Sequence, residues 1–90
     1  MVLANSLRRS LRLGKGVRLQ YEAVTRNHVL LFPEGCVDLN DSATAILSKL
    51  PKPLPELRSE ILREYGTVEG VDDFVDHAIG RRWIKNVPLP

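Results

Sequence analysis

The segment that most restricts the fold is His28-Val29-Leu30-Leu31-Phe32, followed by Pro33-Glu34-Gly35 and then Cys36-Val37-Asp38-Leu39-Asn40. A short apolar run that stops at proline reads as a strand, because proline has no ladder donor, and glycine in the reversal accepts angles closed to other residues. The chain beyond it alternates, with Val37 and Leu39 on one face and Asp38 on the other. Residues 18–24 alternate too, with Leu19, Tyr21 and Ala23 on one side, and Thr25-Arg26-Asn27 supplies a turn. The expectation is three antiparallel strands in a meander over residues 18–40. Such a sheet needs one face covered to be stable.

The cover is predicted to come from three helices. Asn40, Asp41 and Ser42 are all N-cap types, and residues 43–50 place Ala43, Ile46, Leu47 and Leu50 at helical spacing. Pro51 and Pro53 end that helix. Pro55 suits the first turn of a second one, Leu57, Ile61 and Tyr65 lie four apart along it, and Gly66 stops it. A third is expected over residues 71–82, with Asp72 and Asp73 at its positive end and Arg81 and Arg82 at its negative end. Val71, Phe74, Val75, Ala78 and Ile79 form its apolar arc, and Trp83 and Ile84 pack back onto the core. The fold class is α+β: a winged-helix-like arrangement of a three-stranded antiparallel meander followed by three helices. Ninety residues suffice for one domain, here assigned to residues 17–90.

Residues 1–16 read as a separate basic arm. Leu3, Leu7 and Leu11 recur every four residues with Arg8, Arg9 and Arg12 on the other side, which predicts a short amphipathic helix ended by Gly14 and Gly16. Residues 1–21 hold five of the thirteen basic residues and no acid, so the remainder carries eight bases against eleven acids. The net charge of +2 therefore hides a mildly acidic body. The single cysteine excludes an internal disulfide and fits the cytoplasm. No apolar run reaches the roughly 18 residues of a membrane span.

Catalytic chemistry is poorly served. His28, Cys36 and His77 have no metal-ligand spacing, and no third group orients a Cys–His pair. There is no phosphate-binding glycine loop, and no cofactor is expected. Nucleic acid is disfavoured because the third helix would bring Asp72, Asp73 and Asp76 to the phosphates. The remaining feature is the free side of the third strand. An unpaired edge invites another strand, and Asp38 reads either as a gatekeeper or as part of a β-augmentation site.

Several pieces stand in order: Arg18-Leu19-Gln20-Tyr21-Glu22, then Val29-Leu30-Leu31-Phe32-Pro33-Glu34-Gly35, then Val37-Asp38-Leu39-Asn40, then Ser42-Ala43-Thr44-Ala45-Ile46-Leu47. Asp72-Asp73-Phe74 and Gly80-Arg81-Arg82-Trp83-Ile84 close the series. This ordered set, over about residues 17–87, resembles the PqqD family of pyrroloquinoline quinone biosynthesis. Pro51-Lys52-Pro53-Leu54-Pro55 departs from the family's usual Cys-Asp-Gly-type turn, and the resemblance does not explain the arm.

The resemblance implies a non-catalytic domain that binds the precursor peptide PqqA and presents it to the radical-SAM enzyme PqqE, which cross-links a glutamate to a tyrosine. The iron–sulfur clusters and S-adenosylmethionine belong to that enzyme. The peptide is expected to pair along Cys36, Val37, Asp38 and Leu39 in a groove walled by Phe74, with His77, Ala78 and Arg81 nearby. Arg82 and Trp83 are the candidates for docking the enzyme. A homodimer through the open edge or the arm is a further expectation. The alternatives are a winged-helix nucleic-acid-binding protein and a recognition element for a different modified peptide.

Overall fold

The computed structural model of the chain describes residues 9–88. Its main sheet contains β2 (Arg18–Glu22), β3 (Asn27–Phe32) and β4 (Gly35–Leu39), antiparallel in the order β2-β3-β4. The register sets Leu19 opposite Leu30, and Leu30 opposite Val37, so these side chains share one face. Three helices cover it: α1 (Asp41–Leu47), α2 (Leu54–Tyr65) and α3 (Val71–Gly80). Leu30, Leu57 and Ala78 are wholly buried between the layers, with Ile46, Leu47, Ile61, Val71 and Val75 around them. Each large side chain so placed contributes roughly 1.5–3 kcal/mol. The expected α+β arrangement of three strands and three helices is therefore the observed one. Among the described residues no helix is long and apolar enough to cross a membrane.

The boundaries differ from expectation where local hydrogen bonding decides them. β2 stops at Glu22, because the pair Glu22–Asn27 leaves residues 23–26 as the turn, with Arg26 at φ 59°. Among the three N-cap candidates Asn40 takes the role, its side chain accepting from the Ala43 N–H at 2.8 Å. α1 ends at Leu47, three residues early, as Lys49 and Leu50 donate to carbonyls only three residues back ahead of Pro51. α3 ends at Gly80, two residues early. There the Arg82 N–H donates to Ile79 and the Trp83 N–H to Ala78, with Arg82 at φ 65°. This is a Schellman closure with arginine in the left-handed position that glycine usually takes.

The N-terminal arm is corrected by the structure. Arg9–Leu13 is strand β1, not the end of a helix, and it pairs antiparallel with β5 (Ile84–Pro88), which sequence periodicity had not suggested. The rest of the expected helix lies outside the described residues. A helix of that length gains little by itself in water. As a strand, Leu11 is 2% exposed within the core, and its backbone exchanges hydrogen bonds of 2.9 and 3.1 Å with Lys52 on the side away from β5. The Lys52 segment belongs to the proline-rich stretch between α1 and α2, so residues 9–13 join that junction to β5. Gly14 follows in a close crossing: its N–H donates to the Trp83 carbonyl, and a Cβ there would lie 2.3 Å from the Arg82 oxygen.

Candidate peptide-binding edge

The free side of β4 can be read group by group. Phe32 and Gly35 are partners across a connection of only Pro33 and Glu34. So short a link leaves no residues for hydrogen bonds outside the closing pair, so that pair must be the one exchanging both bonds. Alternation then gives Leu30–Val37 and His28–Leu39 the remaining exchanged bonds. Cys36 and Asp38, opposite Leu31 and Val29, turn their N–H and C=O groups outward. Among the described residues no strand of the sheet lies beyond β4. Cys36 and Asp38 are exposed, whereas Val37 and Leu39 are half-buried against the core. The edge thus offers about four backbone groups at alternate residues. A strand laid there would send every second side chain to the face shared with Val37 and Leu39.

α3 lines a cavity next to each end of β4. Its first turn, with Gly70, Val71 and Phe74, meets the start of α1 at Asn40, just past β4, in a cavity of about 550 Å³ that also takes in Ile61 and Tyr65. Its last turn meets the hairpin that leads into β4, where Ile79 shares a cavity with Phe32, Pro33 and Glu34. There the Trp83 ring lies 6.1 Å from Phe32 and 5.5 Å from His77, edge-on to the latter, and the Arg81 guanidinium sits 5.6 Å above it. A second cavity, of about 710 Å³, opens at this end between Lys15, Phe32, Glu34, Arg81, Arg82 and Lys85.

The residues singled out from sequence divide accordingly. Cys36, Val37, Asp38 and Leu39 form the edge itself. Phe74 lies near one end of it, and His77 and Arg81 are exposed near the other. Ala78 is fully buried, so its methyl group packs in the core and has no surface to offer a peptide. Trp83 is 7% exposed and chiefly supports His77 and Arg81, while Arg82 stands in solvent. Sequence reasoning missed Tyr65 and Ile61 at the first cavity and Lys15 and Lys85 at the second. Tyr65 carried a signal, being an aromatic on the last turn of α2 that remains 61% exposed.

The ionic interactions lie elsewhere. Arg58 donates two hydrogen bonds of 2.9 Å to Asp72, tying α2 to α3. Lys49 pairs with Glu64 and Lys52 with Glu60, joining the α1–α2 junction to α2. The hydrogen bond from Lys52 holds the Glu60 carboxyl below its ordinary range, and the one to Glu64 raises the Lys49 ammonium above its own. Among the described residues no three of His, Cys, Asp and Glu converge as a metal site.

Residues 27–84 match the family model described as coenzyme PQQ synthesis protein D (PqqD). The chain is 39% identical to a PqqA binding protein of Azotobacter vinelandii over 80 residues, covering 82% of this chain and 87% of the relative. It is 36% identical to a PqqA binding protein of Rahnella aquatilis, covering 78% and 80% respectively. Among solved structures, the solution structure of the PqqD truncation of Methylobacterium extorquens PqqCD superposes with a TM-score of 0.64 at 28% identity, covering 84% of this chain and 88% of that one. That protein is described as a functional, stand-alone recognition element for ribosomally synthesized and post-translationally modified peptides.

Proposed function

The chain belongs to the PqqD family, and on that premise we propose that it binds a PqqA precursor peptide as an added strand on β4 and presents it to the radical-SAM enzyme PqqE. The observation that carries the strand addition is the β4 edge, unpaired among the described residues, with the backbone groups of Cys36 and Asp38 directed outward. The names of the relatives describe binding and not a reaction, and the non-catalytic reading of this chain rests on them.

The energetics suit a carrier. About four strand hydrogen bonds at 0.5–1.5 kcal/mol each, with two apolar side chains at roughly 1.5–3 kcal/mol each, give about 5–12 kcal/mol before costs. Ordering the peptide and losing its freedom of motion offset several of these, which leaves an affinity near the micromolar range. Such a complex forms and still releases its cargo to an enzyme. Arg82, exposed beside the hairpin that leads into β4, is the residue we assign to meeting that enzyme. Trp83 acts there only through Arg81, because its own ring is covered.

Nucleic-acid binding is the weaker reading. Asp72, Asp73 and Asp76 are all exposed on α3, where they would repel phosphates. The test is a calorimetric titration with PqqA at two salt concentrations, with a DNA duplex of random sequence as control. Peptide binding at micromolar or tighter with no DNA response supports the proposal; a salt-steep DNA response without peptide binding overturns it. Sedimentation in the same buffers shows whether a second copy of the chain occupies the edge in place of peptide.

A further inference from the structure

The cavities next to the two ends of β4 differ in charge. At the end near Gly35, the side chains of Lys15, Arg81, Arg82 and Lys85 surround the larger cavity. Among the described residues none of these four takes part in an ion pair. One carboxylate, Glu34, lines the same cavity. The carbonyl end of α3 adds roughly half a negative charge, and its last carbonyls are already bonded to the Arg82 and Trp83 N–H groups. The balance is strongly positive, within a hollow whose floor includes Phe32 and Ile79. At the opposite end, the smaller cavity joins Ile61, Tyr65, Val71 and Phe74 with the carboxylates Asp41 and Glu69 and, among the described residues, no cation.

The residues that gather the charge come from three separate parts of the chain. Lys15 follows β1, Arg81 and Arg82 end α3, and Lys85 lies in β5. The β1–β5 ribbon and the crossing at Gly14 bring them together. Arg82 also occupies a left-handed backbone position, φ 65°, at which glycine would be less strained.

A strand added to this sheet is expected to run antiparallel to β4, as its neighbours do and as the stronger ladder geometry favours. Its first residues then lie beside Leu39 and the Phe74 cavity, and its last residues leave beside Gly35 and the four cations. We infer that this protein recognises an acidic stretch of its peptide immediately C-terminal to the strand-forming segment, held by Lys15, Arg81, Arg82 and Lys85. The binding direction is thereby fixed, with an acidic exit. This rests on strand addition at β4 and goes beyond it by naming a substrate feature and an orientation.

The experiment is a double-mutant cycle between protein and peptide. One arm uses the full chain and its Lys15→Gln/Arg82→Asn/Lys85→Gln variant; the other uses PqqA and a PqqA whose Glu and Asp are changed to Gln and Asn. The unaltered protein should bind the acidic peptide about tenfold more tightly, equal to about 1.4 kcal/mol, and that preference should shrink as salt rises. The triple variant should show no preference. Equal binding of both peptides by the unaltered protein overturns the inference, and this result needs no variant to fold. A spin label at the N-terminus of PqqA should broaden the amide signals of Gly70 and Phe74 before those of Lys85; the reverse order overturns the orientation. Asp38→Pro separates the two ideas. If it weakens both peptides while neither is preferred, strand addition stands and the acidic exit fails. If it changes neither, strand addition fails as well.

Discussion

Two proline substitutions one residue apart in β4 should have opposite consequences. In Val37→Pro the lost N–H is one that bonds across to Leu30, whose residue is wholly buried. The Leu30 carbonyl loses its partner, at a cost of about 1–3 kcal/mol, and the proline ring adds a steric conflict with β3. A total near 3 kcal/mol is a large share of the roughly 5–10 kcal/mol that holds a domain of this size. In Asp38→Pro the lost N–H points to the open side, and the side chain is exposed. Its folding cost should stay within about 1 kcal/mol, or roughly 4–8 °C in Tm. Its binding cost is the reverse. One strand hydrogen bond disappears and the ring stands where the peptide backbone would approach, so affinity for PqqA should fall by about 1–2 kcal/mol, roughly 5- to 30-fold. Urea unfolding followed by circular dichroism gives the first quantity, and calorimetry with PqqA the second. If both prolines destabilise the fold equally, the alternation of bonds along β4 has been assigned wrongly. If Asp38→Pro binds peptide like the unaltered chain, the edge is not where the peptide pairs.

Other outcomes follow from the rest of the fold. Leu11→Ala should cost about 2–5 kcal/mol in urea unfolding, a core-sized loss from a position that reads as part of a tail. Arg82→Gly should raise stability by about 1 kcal/mol by relieving the left-handed backbone, yet weaken peptide binding, so thermal melts and calorimetry should move in opposite directions. The Glu60 carboxyl is lowered by Lys52, so its contribution is present above its ordinary value of 4.5 and is lost as pH falls through the lowered value. Lys49 is raised by Glu64, so its contribution is present below 10.5 and is lost as pH climbs past the raised value. Glu60→Gln should flatten the acid limb of a stability–pH curve, and Glu64→Gln the alkaline limb.

The meander and its three helices were legible because their punctuation is local. Pro33-Glu34-Gly35 marks one reversal, Asn40 starts a helix, and Gly66 stops another within a few residues of the periodic pattern. β1 was not legible. Leu3, Leu7 and Leu11 are spaced as a helix would space them, whereas the partner that makes residues 9–13 a strand lies at the other end of the chain, Arg9 opposite Pro88. β5 itself, Ile84-Lys85-Asn86-Val87-Pro88, has few residues that favour strands and is defined by pairing alone. The end of α3 was placed late because the residue in the left-handed position is Arg82, and arginine gives no stop signal. The four edge residues could be named from alternation, but which of their backbone groups face outward required the register. The charged cavity could not be assembled from sequence at all, since Lys15 and Lys85 are brought together only by the ribbon.

That ribbon also governs how the domain can be joined to anything else. Arg9 and Pro88 are cross-strand partners, so the first and last described residues lie about 5 Å apart. A protein attached before β1 or after β5 would hang from the same corner, at nearly the same distance from the groove. Residues 9 and 88 could equally be joined by a few-residue linker and the chain reopened at the β2–β3 turn, where Val24 is 96% exposed. The β3–β4–α3 surface would keep every one of its connections in such a rearrangement. In this respect the domain behaves as a cassette whose two leads emerge from one socket.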